Sequence, residues 1–282
     1  SAIYLKKAQL YVATKNENEK NALVIVGIPR EVLELAEIYS DSSVPVLIRG
    51  ETGTGKESFA RFIHMISPRR CAPFLPFNCA ALVETLAESE LFGHVRGAFT
   101  GATHDSAGIF QQANGGTLFL DEIHLMNTRL QAKLLRAIES GEIRPVGSQS
   151  LPIKSDVRIV VATNRNLNDA VAQGKFLYDL FMRLDVFEIV LPTLRENREN
   201  IPKIANVLIK EIASRSGKHI EGFTPRMKQL LLKYEFPGNI RELKNILEYA
   251  IVRCNSRYID ADHLPRKVLQ MENRLTDTDF SP

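Results

Sequence analysis

At 282 residues the chain is longer than one typical domain and long enough to bury a sizeable core. Its 36 basic and 33 acidic side chains leave a formal charge of +3, too close to balance to argue for a nucleic-acid partner by itself. Cys71, Cys79 and Cys254 form no CxxC pair, no apolar run approaches a membrane span, and the start lacks a signal-peptide pattern. A disulfide frame, a zinc site and the membrane drop out, and a reduced cytoplasm is the default.

Residues 1–22 are charged and irregular and read as a linker or edge. Over 30–40, Val32, Leu35, Ala36 and Tyr39 share one helical face. Residues 44–49 form a short buried strand that runs into Gly50-Glu51-Thr52-Gly53-Thr54-Gly55-Lys56, and behind it Phe59, Phe62, Ile63 and Ile66 recur at helical spacing. G-x-x-x-x-G-K between a strand and a helix is the spacing of a phosphate-binding loop. Its glycines let backbone N–H groups curl around phosphate oxygens, the helix N-terminus adds partial positive charge, and Lys56 supplies a full one. Glu57 stands where a Ser or Thr would offer Mg²⁺ a hydroxyl. A nucleoside triphosphate is the expected ligand.

A second strand follows at Phe74–Asn78 and a helix at 82–92, which runs into a Gly- and Ala-rich stretch at 93–102. The third strand is Thr117–Asp121. Asn127 caps a helix with Leu130, Leu134, Leu135 and Ile138 inward, stopped at Gly141. A fourth strand, 159–162, ends in Thr163-Asn164. Strands alternating with helices predict a parallel sheet with helices on both faces. Beyond Pro192 only helices are expected. Ile201, Ile204, Ala205, Leu208 and Ile212 make one stripe. Thr224 and Pro225 start a second helix with Met227, Leu230 and Leu231 buried. Asn239 is read as the cap of a third, with Leu243, Ile246, Leu247 and Ala250 inward. From Arg266 the pattern fades into a polar tail. The expected divisions are 1–22, an α/β domain at 23–192, a helical domain at 193–265, and a tail at 266–282.

The third strand closes on Asp121-Glu122. After a phosphate loop, an Asp there holds Mg²⁺ and a neighbouring Glu can deprotonate an attacking water; taken without the loop, the pair would read as a solvated helix cap. Asn164 is placed to reach a γ-phosphate or the water, or else is a turn residue.

The phosphate loop, Asp121-Glu122, Thr163-Asn164 and the helical segment together resemble an AAA+ ATPase. More narrowly, Glu90-Leu91-Phe92-Gly93-His94-Val95-Arg96-Gly97-Ala98-Phe99-Thr100-Gly101-Ala102 resembles the signature of bacterial enhancer-binding proteins, the NtrC-type activators of sigma-54 RNA polymerase. The resemblance covers residues 24–264. It implies an α/β P-loop NTPase with a small all-α lid, ATP and Mg²⁺ as ligands, and hydrolysis in a homo-oligomeric ring, a hexamer. Within the hexapeptide, two glycines and two alanines make a narrow loop displaying Phe99 and Thr100. An exposed Phe there is costly unless it meets a partner; the alternative is a turn with Phe99 folded inward. The resemblance makes this loop the contact to sigma-54. It also implies that Asn78 holds Glu122, that Arg241 touches phosphates from its own subunit, and that Arg183 reaches into a neighbour's site as an arginine finger. Other members also carry Glu at the position of Glu57. A regulatory domain before this segment and a DNA-binding domain after it are expected outside the chain, so that DNA is met only through the latter.

One position departs from the family. The segment usually has an arginine after the Phe equivalent to Phe176; here it is Leu177, with Lys175 as a partial stand-in. One of two fingers is missing. The competing expectation is therefore an ATP-gated oligomer that hydrolyses poorly. A different AAA+ machine, an unfoldase or translocase, is disfavoured by the intact hexapeptide. The six histidines show no metal spacing and no serine sits in G-x-S-x-G.

Overall fold

The computed structural model describes residues 26–80 and 84–270. The segment expected as a linker at 1–22, the first residues expected of the helix at 82–92, and the tail beyond 270 lie outside them. The chain divides into two compact units. Among the described residues, one holds 30–50 and 59–191; the other holds 51–58 and 192–270, with 26–29.

In the first unit five strands form one parallel sheet: β1 (Val46–Arg49), β2 (Phe74–Asn78), β3 (Thr117–Asp121), β4 (Arg158–Thr163) and β5 (Phe187–Val190), in the spatial order β2-β3-β4-β1-β5. The three central strands are near-continuous apolar runs, as sheets covered on both faces require. β5 had no counterpart in the sequence reading. Glu188 interrupts its apolar run, and the edge position tolerates it because Arg49 Nη1 donates to Glu188 Oε1 at 2.7 Å. The register pairs Asn78 with Asp121 and Arg49 with Thr163. The carboxyl ends of β2, β3, β4 and β1 therefore share one edge, where ligands of open α/β sheets bind.

Helices α1 (Arg30–Ser40), α2 (Lys56–Ile66, beginning in the loop segment), α3 (Glu84–Phe92), α4 (Ile109–Gln112), α5 (Thr128–Ser140), α6 (Leu167–Ala172) and α7 (Tyr178–Leu184) accompany the sheet. α5 starts and stops as its sequence predicts: Asn127 Oδ1 accepts from Leu130 N at 2.9 Å, and Gly141 takes a left-handed conformation with φ 66°. An unanticipated brace is Arg158. It is buried at the start of β4, and its guanidinium donates to Tyr39 O and Ser40 O, closing the carbonyl end of α1.

The second unit packs α8 (Ile201–Ser216), α9 (Pro225–Lys233) and α10 (Asn239–Arg253) around their own core. The predicted stripe Ile201, Ile204, Ala205, Leu208 and Ile212 is buried, and Thr224 caps α9 by accepting from Met227 N. Three expectations change. The region is not helix only, since Gly222–Phe223 and Tyr258–Ile259 pair as a short parallel ladder. Residues 266–270 are helical rather than tail, because Val268 joins the core and Leu269 packs against it. Asn239 does not cap α10: Gly238 holds that position, and Asn239 sits at φ 50° with its side chain used elsewhere.

Candidate functional site

The phosphate loop from Glu51 onward belongs to the second unit. Gly55 turns with φ 94°, and Gly53 combines φ 83° with a close approach, since a Cβ there would stand 2.2 Å from Gly238 O. Thr54 Oγ1 and Lys56 Nζ both donate to Glu51 O, at 2.9 and 3.2 Å, which draws the loop into an arc. Lys56 is buried and Glu57 points outward. Arg195 grips Glu51 with both arms of its guanidinium, Nη1 to Oε2 at 2.9 Å and Nη2 to Oε1. Asn239 Nδ2 donates to Glu51 Oε2 and to Thr52 O, each at 3.1 Å. These donors hold the Glu51 carboxyl down at about 2, Arg195 contributing most and Asn239 next. Arg241 meets the loop through its backbone, N to Gly53 O at 3.3 Å, while its side chain is exposed. Arg195 carried no local signal in the sequence, because its partner lies 144 positions away.

At the sheet edge, Asp121 Oδ1 accepts from Glu122 N at 3.0 Å and Cys79 N donates to Asp121 O at 3.0 Å. Glu122 occupies the left-handed region at φ 51°, and its buried Oε2 has no hydrogen-bond partner among the described residues. A left-handed backbone and a buried carboxylate oxygen without a hydrogen bond are both costly features. His124, which the sequence gives only as one of six histidines without metal spacing, stands 3.5 Å from that oxygen and 3.1 Å from Thr163 Oγ1. Burial, aided by Asp121 and Glu122, pushes the Cys79 thiol up to about 12, which makes it inert as a nucleophile. Asn164 is exposed. Asn78 does not hold Glu122: its Oδ1 accepts from Ala80 N at 2.8 Å, the local turn that an exposed Asn at a strand end readily makes.

The expected finger, Arg183 on α7, is exposed and its Nε lies 3.3 Å from Glu139 Oε1. Leu177 packs on the sheet core, and its N donates to Oε1 of the buried Gln131 at 2.7 Å. Gln131 Nε2 in turn donates to Lys175 O at 3.0 Å, so one side chain of α5 fixes the turn before α7. Lys175 Nζ is exposed and bonds Gln173 Oε1.

Residues 97–102 form the tip of a hairpin whose antiparallel stem pairs Gly93 with Ala107 and His94 with Ser106. Gly97 N donates to Ala102 O at 2.9 Å and Ala102 N to Phe99 O at 3.0 Å, closing the tip. Thr100 is exposed. Phe99 is half-buried, set edge-on to His94 with ring centroids 5.0 Å apart, and is not displayed.

The model of the sigma-54 interaction domain matches residues 27–190. The chain belongs to the sigma-54 interaction domain family. An AAA+ ATPase lid domain model matches residues 195–279. The transcriptional regulatory protein ZraR of Salmonella typhimurium is 46% identical over 236 residues, 84% of this chain and 53% of its own length. The Nif-specific regulatory protein of Enterobacter agglomerans is 48% identical over 233 residues, 83% of this chain and 45% of its own. The chain thus spans about half the length of these relatives. Among solved structures, NtrX from Brucella abortus in complex with ATP superposes with a TM-score of 0.82 at 30% identity, over 96% of this chain and 60% of that one. The parallel sheet flanked by helices, with a helical lid, is the AAA+ form of the P-loop NTPase fold.

Proposed function

We propose that the chain is the ATP-hydrolysing motor domain of a cytoplasmic sigma-54-dependent activator, working as a hexameric ring that remodels the closed polymerase complex. The observation that carries this reading is the intact Gly97–Ala102 hexapeptide at the tip of a hairpin on the unit whose strand β3 ends in Asp121-Glu122. The backbone N–H groups of 50–57 and the ammonium of Lys56 receive the phosphates. Arg241 adds a second cation from the lid. Asp121 is the carboxylate that would hold Mg²⁺, which when bound neutralises phosphate charge. Oε2 of Glu122, which accepts no hydrogen bond among the described residues, is free to take a proton, as a base for water requires. Asn164 orients that water, and Asn78, released from Ala80, relays the state of the site. Arg183 completes a neighbour's site, which makes hydrolysis depend on assembly. DNA is bound by a domain outside this chain.

The test is capture of purified sigma-54 in the presence of ADP and aluminium fluoride. The parent is expected to hold sigma-54 and Thr100→Ala to release it, with ATPase activity within a few-fold of the parent. Equal capture by both would remove the loop from the interface. A second reading, a ring that binds ATP and scarcely hydrolyses it, is favoured by Leu177, whose side chain is committed to the core and supplies no charge to a neighbour.

A further inference from the structure

We propose that Arg195 and Asn239 are positioning residues for nucleotide binding, holding the Glu51 carboxylate as a strut that shapes the phosphate loop. The proposal rests on the nucleotide site assigned above. A carboxylate inside a loop built for polyanions is a liability: ionised, it accepts hydrogen bonds only and repels phosphate. Here both its oxygens are consumed internally. The Arg195 fork takes one each, and Asn239 Nδ2 adds a bond to Oε2. Glu51, which the sequence places among the nucleotide ligands, is thereby an anchor turned away from that task.

Asn239 is built for the same purpose. It is fully buried, adopts the left-handed backbone that Asn accepts more readily than most residues, and spends both ends of its amide. Nδ2 reaches Glu51 Oε2 and Thr52 O, while Oδ1 accepts from Leu194 N at 3.0 Å. The neighbouring contacts point the same way. Arg241 N bonds Gly53 O, and Gly53 lies against Gly238 O too closely for any side chain. The far end of the strut is itself braced: Glu196 Oε2 accepts from Thr193 N at 2.9 Å, and Arg198 Nη1 donates to Leu232 O at 2.8 Å. The loop's arc is thus set by groups that never meet phosphate.

Removing one partner should cost more than removing both. Arg195→Gln strands an ionised Glu51 in the loop, whereas Glu51→Gln with Arg195→Gln leaves a neutral pair of similar shape. The experiment titrates a fluorescent ATP analogue onto the whole chain for the parent, both single variants, the double, Arg195→Lys and Asn239→Ala. Arg195→Gln and Asn239→Ala are each expected to weaken binding on the order of tenfold, the size of coupling between residues in one network. The double should bind no worse than Arg195→Gln, and Arg195→Lys should recover part of the loss, keeping charge without the fork. A role in folding alone produces neither non-additivity nor that recovery. The Arg195 and Glu51 side chains are partly exposed, so these variants carry the test should Asn239→Ala fail to fold. Parental affinity in Arg195→Gln, or losses that simply add in the double, would overturn the proposal. Lys56→Ala in the same titration separates the two levels. If it alone loses affinity, the strut fails and the site stands; if it keeps affinity, the site assignment fails.

Discussion

Two glycine-bearing loops in this protein use the same residue for opposite ends. In the phosphate loop, Gly53 lets the backbone press against Gly238 O, with the would-be Cβ 2.2 Å away. In the hexapeptide, a Cβ added at Gly97 or Gly101 would meet nothing within 4 Å. The first glycine is there for closeness, the second pair for turning, at φ 80° and 102°. The loop assigned to a small ligand is held from all sides by Arg195, Asn239 and Gly238. The loop assigned to a large partner is closed by a few backbone bonds and one ring contact, and is otherwise open. A fixed ligand geometry needs the former, and a surface that has to change with nucleotide state needs the latter.

The comparison breaks most visibly under alanine. Gly53→Ala should abolish nucleotide binding as Lys56→Ala does, since it adds both a clash with backbone and a strained φ. Gly97→Ala meets only the backbone penalty of roughly 1 kcal/mol, and should keep parental ATP affinity. Isothermal titration with ATP on both variants decides it, and equal losses would erase the distinction between the loops.

A step smaller is the finger. A sole arginine finger is worth ~10³ to 10⁵ in rate. Arg183→Ala should leave ATP bound but barely turned over, with the rise of specific activity with protein concentration flattened. Leu177→Arg should raise turnover, because Gln131 already fixes the backbone from which a second arginine would extend. Steady-state phosphate release across protein concentrations reads both; an Arg183→Ala protein with the parent's profile would move the finger elsewhere.

The smallest expected effect is acid sensitivity of the strut. The Glu51 carboxyl is held below its ordinary range, at about 2, so its contribution to stability is present above the ordinary value of 4.5. That contribution is lost as pH falls from there toward 2. Glu51→Gln should therefore melt below the parent at pH 7, with the gap closing in acid. The group is partly exposed, and the gap should be small. A gap that persists at low pH would trace the effect to packing instead of charge.

What the sequence made legible was whatever is signalled locally. α1, β2 and β3 fall where apolar periodicity and punctuation put them, and α5 runs from the Asn127 cap to Gly141. Where a residue's reason lies far along the chain, the sequence was mute or misleading. Arg195 answers Glu51 and Arg158 answers α1. Asn239 looked like a helix cap, since Asn before an apolar-periodic run is the usual sign of one, but its amide serves the loop. β5 escaped because its edge position admits a glutamate. The candidate site residues were read from motifs; the side chains packed around them, His124, Gln131 and Arg195, were not, because no motif contains them.

The left-handed backbone at Glu122 carries a consequence for how this protein can evolve. Glycine is the residue that would relax it, removing a strain of about 1 kcal/mol along with a buried oxygen that accepts no hydrogen bond among the described residues. Selection for durability alone would favour glycine there, and on the proposed function the sturdier protein would not turn over ATP. Under the proposed role of Glu122 as a base, keeping the glutamate trades stability for activity.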